Sequence, residues 1–217
     1  MTSDQLADLI ARMAARLSAE RNRLNRLDAA IGDGDHGSSI SGAFALAVQK
    51  IDKLEEPSLH AIWLATAMAL LNGMGGASGA IFGTFFLKGA ARLKGVERIN
   101  QAEMAALLEA GLAGVQARGK AQVGDKTIVD ALVPAVAAFT AAEDFPAAWR
   151  AAAGAAANGA ESTRDMQARQ GRAKYLGERA IGHADPGASS IALIFAAAAT
   201  PFNLSDESEA GNVVTPQ

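Results

Sequence analysis

Along most of this chain apolar residues recur at the three- and four-residue spacing of a helix face. Leu6, Leu9, Ile10, Met13 and Leu17 form one such stripe, which the pattern continues through Leu24 and Leu27. Ser3 stands where a side chain can cap that helix, and Asp4 falls in its first turn. The same spacing predicts further helices over roughly 37–53, 58–73, 77–93, 101–117, 126–142, 145–163, 164–178 and 187–200. Their breaks are Pro57, the Gly73–Gly76 cluster, Gly95, the Gly119–Gly124 stretch, Pro146, Gly182–Pro186 and Pro201. No alternating run is long enough to predict a strand. The expectation is an all-α fold in which short loops make sequence neighbours antiparallel neighbours, an up-and-down bundle or barrel of about eight helices.

Composition sharpens this picture. Alanine dominates while the β-branched and aromatic residues that strands favour are sparse, aromatics making up 5%. A length of 217 residues fits one domain, expected over 1–202, followed by a polar tail, 203–217, expected to be disordered. The absence of cysteine excludes disulfides, thiolate metal sites, iron–sulfur clusters and a cysteine nucleophile. The net charge is −3, and no basic run points to nucleic acid or to an anionic membrane surface. The start, MTSDQLADLI, lacks a signal-peptide layout, and the apolar stretch from Ala61 to Leu71 is too short to span a bilayer. A soluble, cytoplasmic protein is expected.

The most informative motif runs from Leu27 to Ser39, LDAAIGDGDHGSS. Gly32, Gly34 and Gly37 formally match the dinucleotide fingerprint, but that motif must follow a strand, and here a helix precedes it. Asp33 and Asp35 would also repel a bare pyrophosphate. A calcium loop starting at Asp33 fails because its twelfth position is Phe44 rather than glutamate. A divalent cation reconciles acids with phosphate: Asp28, Asp33 and Asp35 place three hard-oxygen donors across a helix end and a glycine turn, enough to serve two Mg²⁺ ions. The helix starting near Gly37-Ser38-Ser39 then offers N–H groups and hydroxyls to an anion. A solvated acidic turn with a helix cap is the bland alternative.

Three further segments carry weaker signals. Gly73 to Ala80, GMGGASGA, leads into an apolar helix, with Ser78 at its start. Taken alone it reads as a flexible turn. Gly119 to Thr127, GKAQVGDKT, resembles a Walker loop only superficially, and Asp125 or Thr127 can cap the next helix. Arg172 is a candidate phosphate clamp, and Asp185-Pro186-Gly187 is turn chemistry that could wall a base or ribose. Each arginine there is otherwise an ordinary surface residue.

Taken together and in this order, these four motifs resemble the DhaL family, the nucleotide-binding subunits of bacterial dihydroxyacetone kinases. The resemblance spans Leu6 to Thr200. It implies a helical barrel holding Mg-ADP or Mg-ATP among the loops at one end. By motif, Asp28, Asp33 and Asp35 would hold two Mg²⁺ ions. His36, Gly37, Ser38, Ser39, Ala77 and Ser78 would line the phosphates and nucleotide, and Gly119, Thr127, Ile128, Arg172, Asp185 and Gly187 would complete the pocket.

The resemblance also implies a partner, a DhaK-like subunit that carries the ketose covalently on its own histidine. This chain has three histidines, His36, His60 and His183, and none makes a convincing substrate site. It would therefore be half an enzyme, a phosphoryl donor whose aspartates ligate metal rather than act as bases. The phosphate source stays open between ATP as substrate and ADP retained as a cofactor and recharged by a DhaM-like phosphotransferase-system subunit. Dihydroxyacetone versus a related ketose such as erythrulose is likewise open, as is a homodimer. The alternative of a different class is a nucleotide-sensing subunit that binds a transcription factor.

Overall fold

The computed structural model describes residues 1–200, so the expected polar tail lies outside the described residues. Nine α-helices fill the described residues: α1 (Ser3–Ala19), α2 (Arg21–Ile31), α3 (His36–Ile51), α4 (Leu59–Gly73), α5 (Gly76–Ala90), α6 (Gln101–Gly119), α7 (Ile128–Ala141), α8 (Phe145–Ser162) and α9 (Pro186–Ala199). No strand occurs among them. The helix-spaced apolar stripes are what is buried: on α1 these are Leu6, Leu9, Ile10, Met13 and Leu17.

Eight of the helices close a ring. α1 packs on α3, and α3 to α9 follow one another in order until α9 returns to α1. α2 lies outside this sequence, packed on α3 and α9 at one end. Apolar side chains fill the barrel, with Phe44, Trp63 and Phe85 each in ring contact with Phe86 on one side and Phe139, Phe145 and Phe195 each in ring contact with Trp149 on the other. Edge-to-face contacts such as Phe139 on Trp149, with centroids 4.8 Å apart, suit the quadrupoles of the rings.

Three local expectations differ from the structure. The first helix is capped by Thr2, not Ser3: the Thr2 hydroxyl accepts from the Gln5 N–H and the Gln5 side chain returns to the Thr2 N–H. The long stripe through Leu27 is two helices, broken at Glu20, although no glycine or proline marks the break. The expected helix over 164–178 is instead 3-10 turns over Thr163–Asp165 and Arg172–Ala180, the second divided by a kink at Gly177, joined by extended chain. Gly171 and Gly177, at φ +66° and +59°, deny it regular geometry.

Candidate functional site

Every second connection of an up-and-down barrel opens at the same end, and here four of them meet around one cavity of about 550 Å³. Its walls come from the α2–α3 turn, the α4–α5 turn, the α6–α7 connection and the chain between α8 and α9. That volume lies within the range of small-molecule and cofactor pockets. At the far end the chain is tied differently: the Met1 ammonium donates to the Ile99 carbonyl at 2.6 Å.

The acidic turn is organised by Asp28. From the last turn of α2 its Oδ2 accepts the backbone N–H groups of Gly34, Asp35 and His36 at 2.9, 3.0 and 3.2 Å. This carboxylate is buried, and the three donors stabilise its charge. Gly34 sits at φ +83°, backbone that side-chain-bearing residues avoid, so the turn requires glycine there. Asp33 and Asp35 are exposed, and the three carboxylates bring oxygens within 4.8 Å of one another. Three negative charges so close repel unless a cation joins them, and their hard oxygen donors fit Mg²⁺. The Arg172 guanidinium is ion-paired with Asp33.

The amino end of α3 is not the open anion site its sequence predicts. Asp28 takes the His36 N–H, and Asn25 Oδ1 takes that of Ser38 at 2.9 Å. The Ser38 hydroxyl faces α2, where Asn25 Nδ2 and Arg21 Nε donate to it. Gly37 is a packing glycine, since a Cβ there would lie 2.1 Å from the Arg21 carbonyl oxygen. Neither Gly37 nor Ser38 lines the cavity, whereas His36 and Ser39 do. The amino end of α5 is better placed: Gly75 opens it with no side-chain cap, and Gly75, Gly76, Ala77 and Ser78 all line the cavity. Uncapped N–H groups at a helix start are suited to phosphate.

His36 is buried, and burial holds its pKa below the usual value although Asp28, Asp35 and Asp33 pull it upward. Its Nε2 lies 2.9 Å from Ser190 Oγ, which fixes the ring against α9.

The opposite wall is built on capping. Thr127 caps α7 through its hydroxyl to the Val129 N–H, and Asp130 returns to the Thr127 N–H at 2.7 Å. Asp185 caps α9 by accepting from Ala188 at 2.7 Å. Burial raises its pKa to about 7, against the lowering by that N–H, with Asp130 pushing it further up and Lys126 down. Gly119, Thr127, Ile128, Arg172, Asp185 and Gly187 all reach the cavity.

The sequence reading missed Asp130 and Lys126. Asp130 was signalled by the Thr-x-x-acid spacing of a capping box. Lys126, 1% exposed on the cavity wall, lies in the GDKT part of a motif already singled out, but nothing in the pattern marked its side chain as buried there. His60, bonded to the Ala90 carbonyl at 2.8 Å, takes no part in the cavity wall. No helix of the described residues is long and apolar enough to cross a membrane.

Comparison with known proteins places this architecture. A family model described as the DAK2 domain matches residues 30–200. The chain is 39% identical over 195 residues to the "PEP-dependent dihydroxyacetone kinase, ADP-binding subunit DhaL" of Escherichia coli, covering 88% of this chain and 93% of that one. It is 40% identical over 183 residues to the corresponding subunit of dihydroxyacetone kinase 2 of Listeria innocua, covering 82% and 85%. The crystal structure of the dihydroxyacetone kinase from C. freundii in complex with AMP-PNP and Mg²⁺ superposes with a TM-score of 0.73 at 31% identity. The match covers 90% of this chain and a third (33%) of that longer one.

Proposed function

The chain belongs to the DAK2-domain family, in its DhaL branch, and from that premise we propose that it is the nucleotide-binding, phosphoryl-donating subunit of a kinase for dihydroxyacetone or a related ketose. The observation that carries this reading is the convergence of three carboxylates and the uncapped amino end of α5 on one cavity of nucleotide size.

Asp28, Asp33 and Asp35 would hold two Mg²⁺ ions against the phosphates. Asp28 is suited to do so through Oδ1, since its Oδ2 is spent on the turn. Bound divalent ions supply charge neutralisation and a template for in-line displacement, which phosphoryl transfer needs more than covalent chemistry by the protein. The N–H groups of residues 76–78, with the Ser39 and Ser78 hydroxyls, would bind phosphate oxygens. Arg172 would leave Asp33 and meet the charge of the transferring phosphoryl group. Ile128 and Gly187 would wall the base, where a Cβ at Gly187 would lie 2.5 Å from Ile128 Cγ2.

The ketose would sit on a separate DhaK-like subunit docked over the cavity mouth. The relatives of matching length are named as PEP-dependent, ADP-binding subunits, which favours ADP retained as a cofactor and recharged by a DhaM-like subunit. On this reading the protein would work in the cytoplasm. Calorimetry tests the core of the proposal: ADP binds tightly with Mg²⁺ and loses most of that affinity with a chelator. Equal affinity in both conditions removes the metal bridge. Activity on dihydroxyacetone by the purified chain alone would refute the two-subunit reading.

A further inference from the structure

We propose that Lys126 is a positioning residue whose ammonium clamps the base of the 163–183 segment and so delivers Arg172 and Asp185 to the cavity. Lys126 Nζ lies 2.8 Å from the Thr163 carbonyl oxygen, 3.1 Å from that of Met166, 2.8 Å from that of Ala180 and 2.5 Å from that of His183. Three N–H donors thus serve four acceptors, and the four fall into two pairs. Thr163 and Met166 lie where the chain leaves α8, and Ala180 and His183 where it returns toward α9. The excursion between them carries Gln170 to Ala173 on the cavity wall, with Arg172 ion-paired to Asp33.

A small apolar cluster, Ala168 and Ala180 on Ile31 of α2 with Ala173 and Leu176 against them, seats this segment, but its backbone has little regular structure of its own. Its 3-10 pieces make poorer hydrogen bonds than an α-helix, and Gly171, Gly177 and Gly182 all take positive φ. Besides the ammonium, its base is tied by Gly182 N–H to the Arg164 carbonyl and Asp185 N–H to the Thr163 hydroxyl, both at 2.8 Å, and by Arg164 Nη1 to the Gly182 carbonyl at 2.9 Å. Arg169 N–H reaches the carbonyl of Asp125, the residue before the lysine, at 3.1 Å. Among the described residues no carboxylate forms a salt bridge with Lys126, so carbonyl dipoles solvate its charge; burial holds its pKa below the usual value, with Asp185 and Asp165 pulling upward and Arg164 pushing down. Removing the ammonium would strip all four carbonyls of their shared donor, that of Thr163 keeping only the Met166 N–H at 3.2 Å. Lys126 itself adopts φ +60°, left-handed backbone that costs any residue but glycine. It immediately precedes Thr127, the cap of α7, so one residue links the start of α7 to the 163–183 segment.

The nucleotide part of the test rests on the function proposed above, and the exchange part does not. Lys126→Gly removes the charge, relieves the left-handed strain and leaves a void shaped for n-butylammonium. Lys126→Met keeps the length without the charge. Both variants should retain the helical circular dichroism of the parent, exchange the amides of 166–182 faster, and bind Mg-ADP about tenfold more weakly or worse, the scale of losing a supporting residue behind a site. Added n-butylammonium should restore protection and affinity to Lys126→Gly, while n-butanol should not. Parental exchange and affinity in Lys126→Met overturn the proposal. So does global loss of helicity in both variants, which would make Lys126 a folding residue rather than a positioning one. If the parent itself fails to bind Mg-ADP, the nucleotide reading falls, and the exchange comparison still decides the clamp.

Discussion

The Arg172 guanidinium and the Asp33 carboxylate meet across 139 positions of sequence, ion-paired through Nη1 and Oδ2. The pair is exposed, with side chains 70% and 47% accessible, so its contribution to stability is small. Its interest is chemical: a side-chain cation stands on one of three carboxylates grouped closely enough to share a metal.

Arg172→Ala should therefore act in opposite directions on two ligands. Removing a competing cation strengthens binding of Mn²⁺ alone, while removing a phosphate partner weakens Mg-ADP. Lys174→Ala, a neighbouring cation with no place in the cavity wall, supplies the baseline for the loss of general positive charge. Titration of Mn²⁺ by paramagnetic resonance and of Mg-ADP by calorimetry reads both. Weakening of Mn²⁺ binding in Arg172→Ala would contradict the competition.

Asp33→Asn and Asp28→Asn should separate function from folding. Both lose a charge that Mg²⁺ requires, and the amide nitrogen cannot replace an oxygen ligand. Asp33→Asn gives up only an exposed ion pair while easing repulsion, so its metal-free melting temperature stays within a few degrees of the parent. Asp28→Asn weakens three backbone hydrogen bonds at a buried carboxylate and destabilises by about 1–3 kcal/mol. At roughly 2–4 °C per kcal/mol for a chain of this size, thermal unfolding resolves the difference. Equal melting temperatures would refute the turn-organising role of Asp28.

Ser38→Ala and Ser39→Ala should likewise part company. Ser38 accepts from Asn25 and Arg21, so its loss costs about 0.5–1.5 kcal/mol and leaves Mg-ADP affinity unchanged. Ser39 lines the cavity, so its loss weakens the nucleotide. Reversed behaviour in calorimetry and thermal melts would mean that the Ser38 hydroxyl turns inward when nucleotide binds.

Asp185 sets a pH dependence of stability. Its pKa rises from 3.8 to about 7 on folding, so between these values the folded chain holds a proton that the unfolded chain has released. Stability from this group is full below 3.8 and is lost as pH rises through about 7. Asp185→Asn keeps a capping side chain and removes the titration. The parent's melting temperature should fall relative to that of Asp185→Asn from pH 4 to 7, and parallel curves would refute it.

Much of this protein was legible from local pattern. Helix-spaced apolar stripes, with glycine and proline at most of the breaks, place the helices because a helix buries one stripe whatever it packs against. The acidic turn was equally legible, because Asp28, Asp33 and Asp35 are close in sequence and one turn brings them together. What local pattern could not decide were outcomes fixed by distant partners. The break at Glu20 lets α1 join the ring while α2 packs at its end, on α3 and α9. The 164–178 stretch has helical composition, yet four of the carbonyls at its base turn to the ammonium of Lys126. Ser38 and Ser39 are neighbours in a motif, but neighbours on a helix point about 100° apart, and only the seating of α2 shows which one faces the cavity. A sequence fixes which groups need burial or a partner, and the choice among partners belongs to the packed chain, where desolvation decides which charge must be met and by whom.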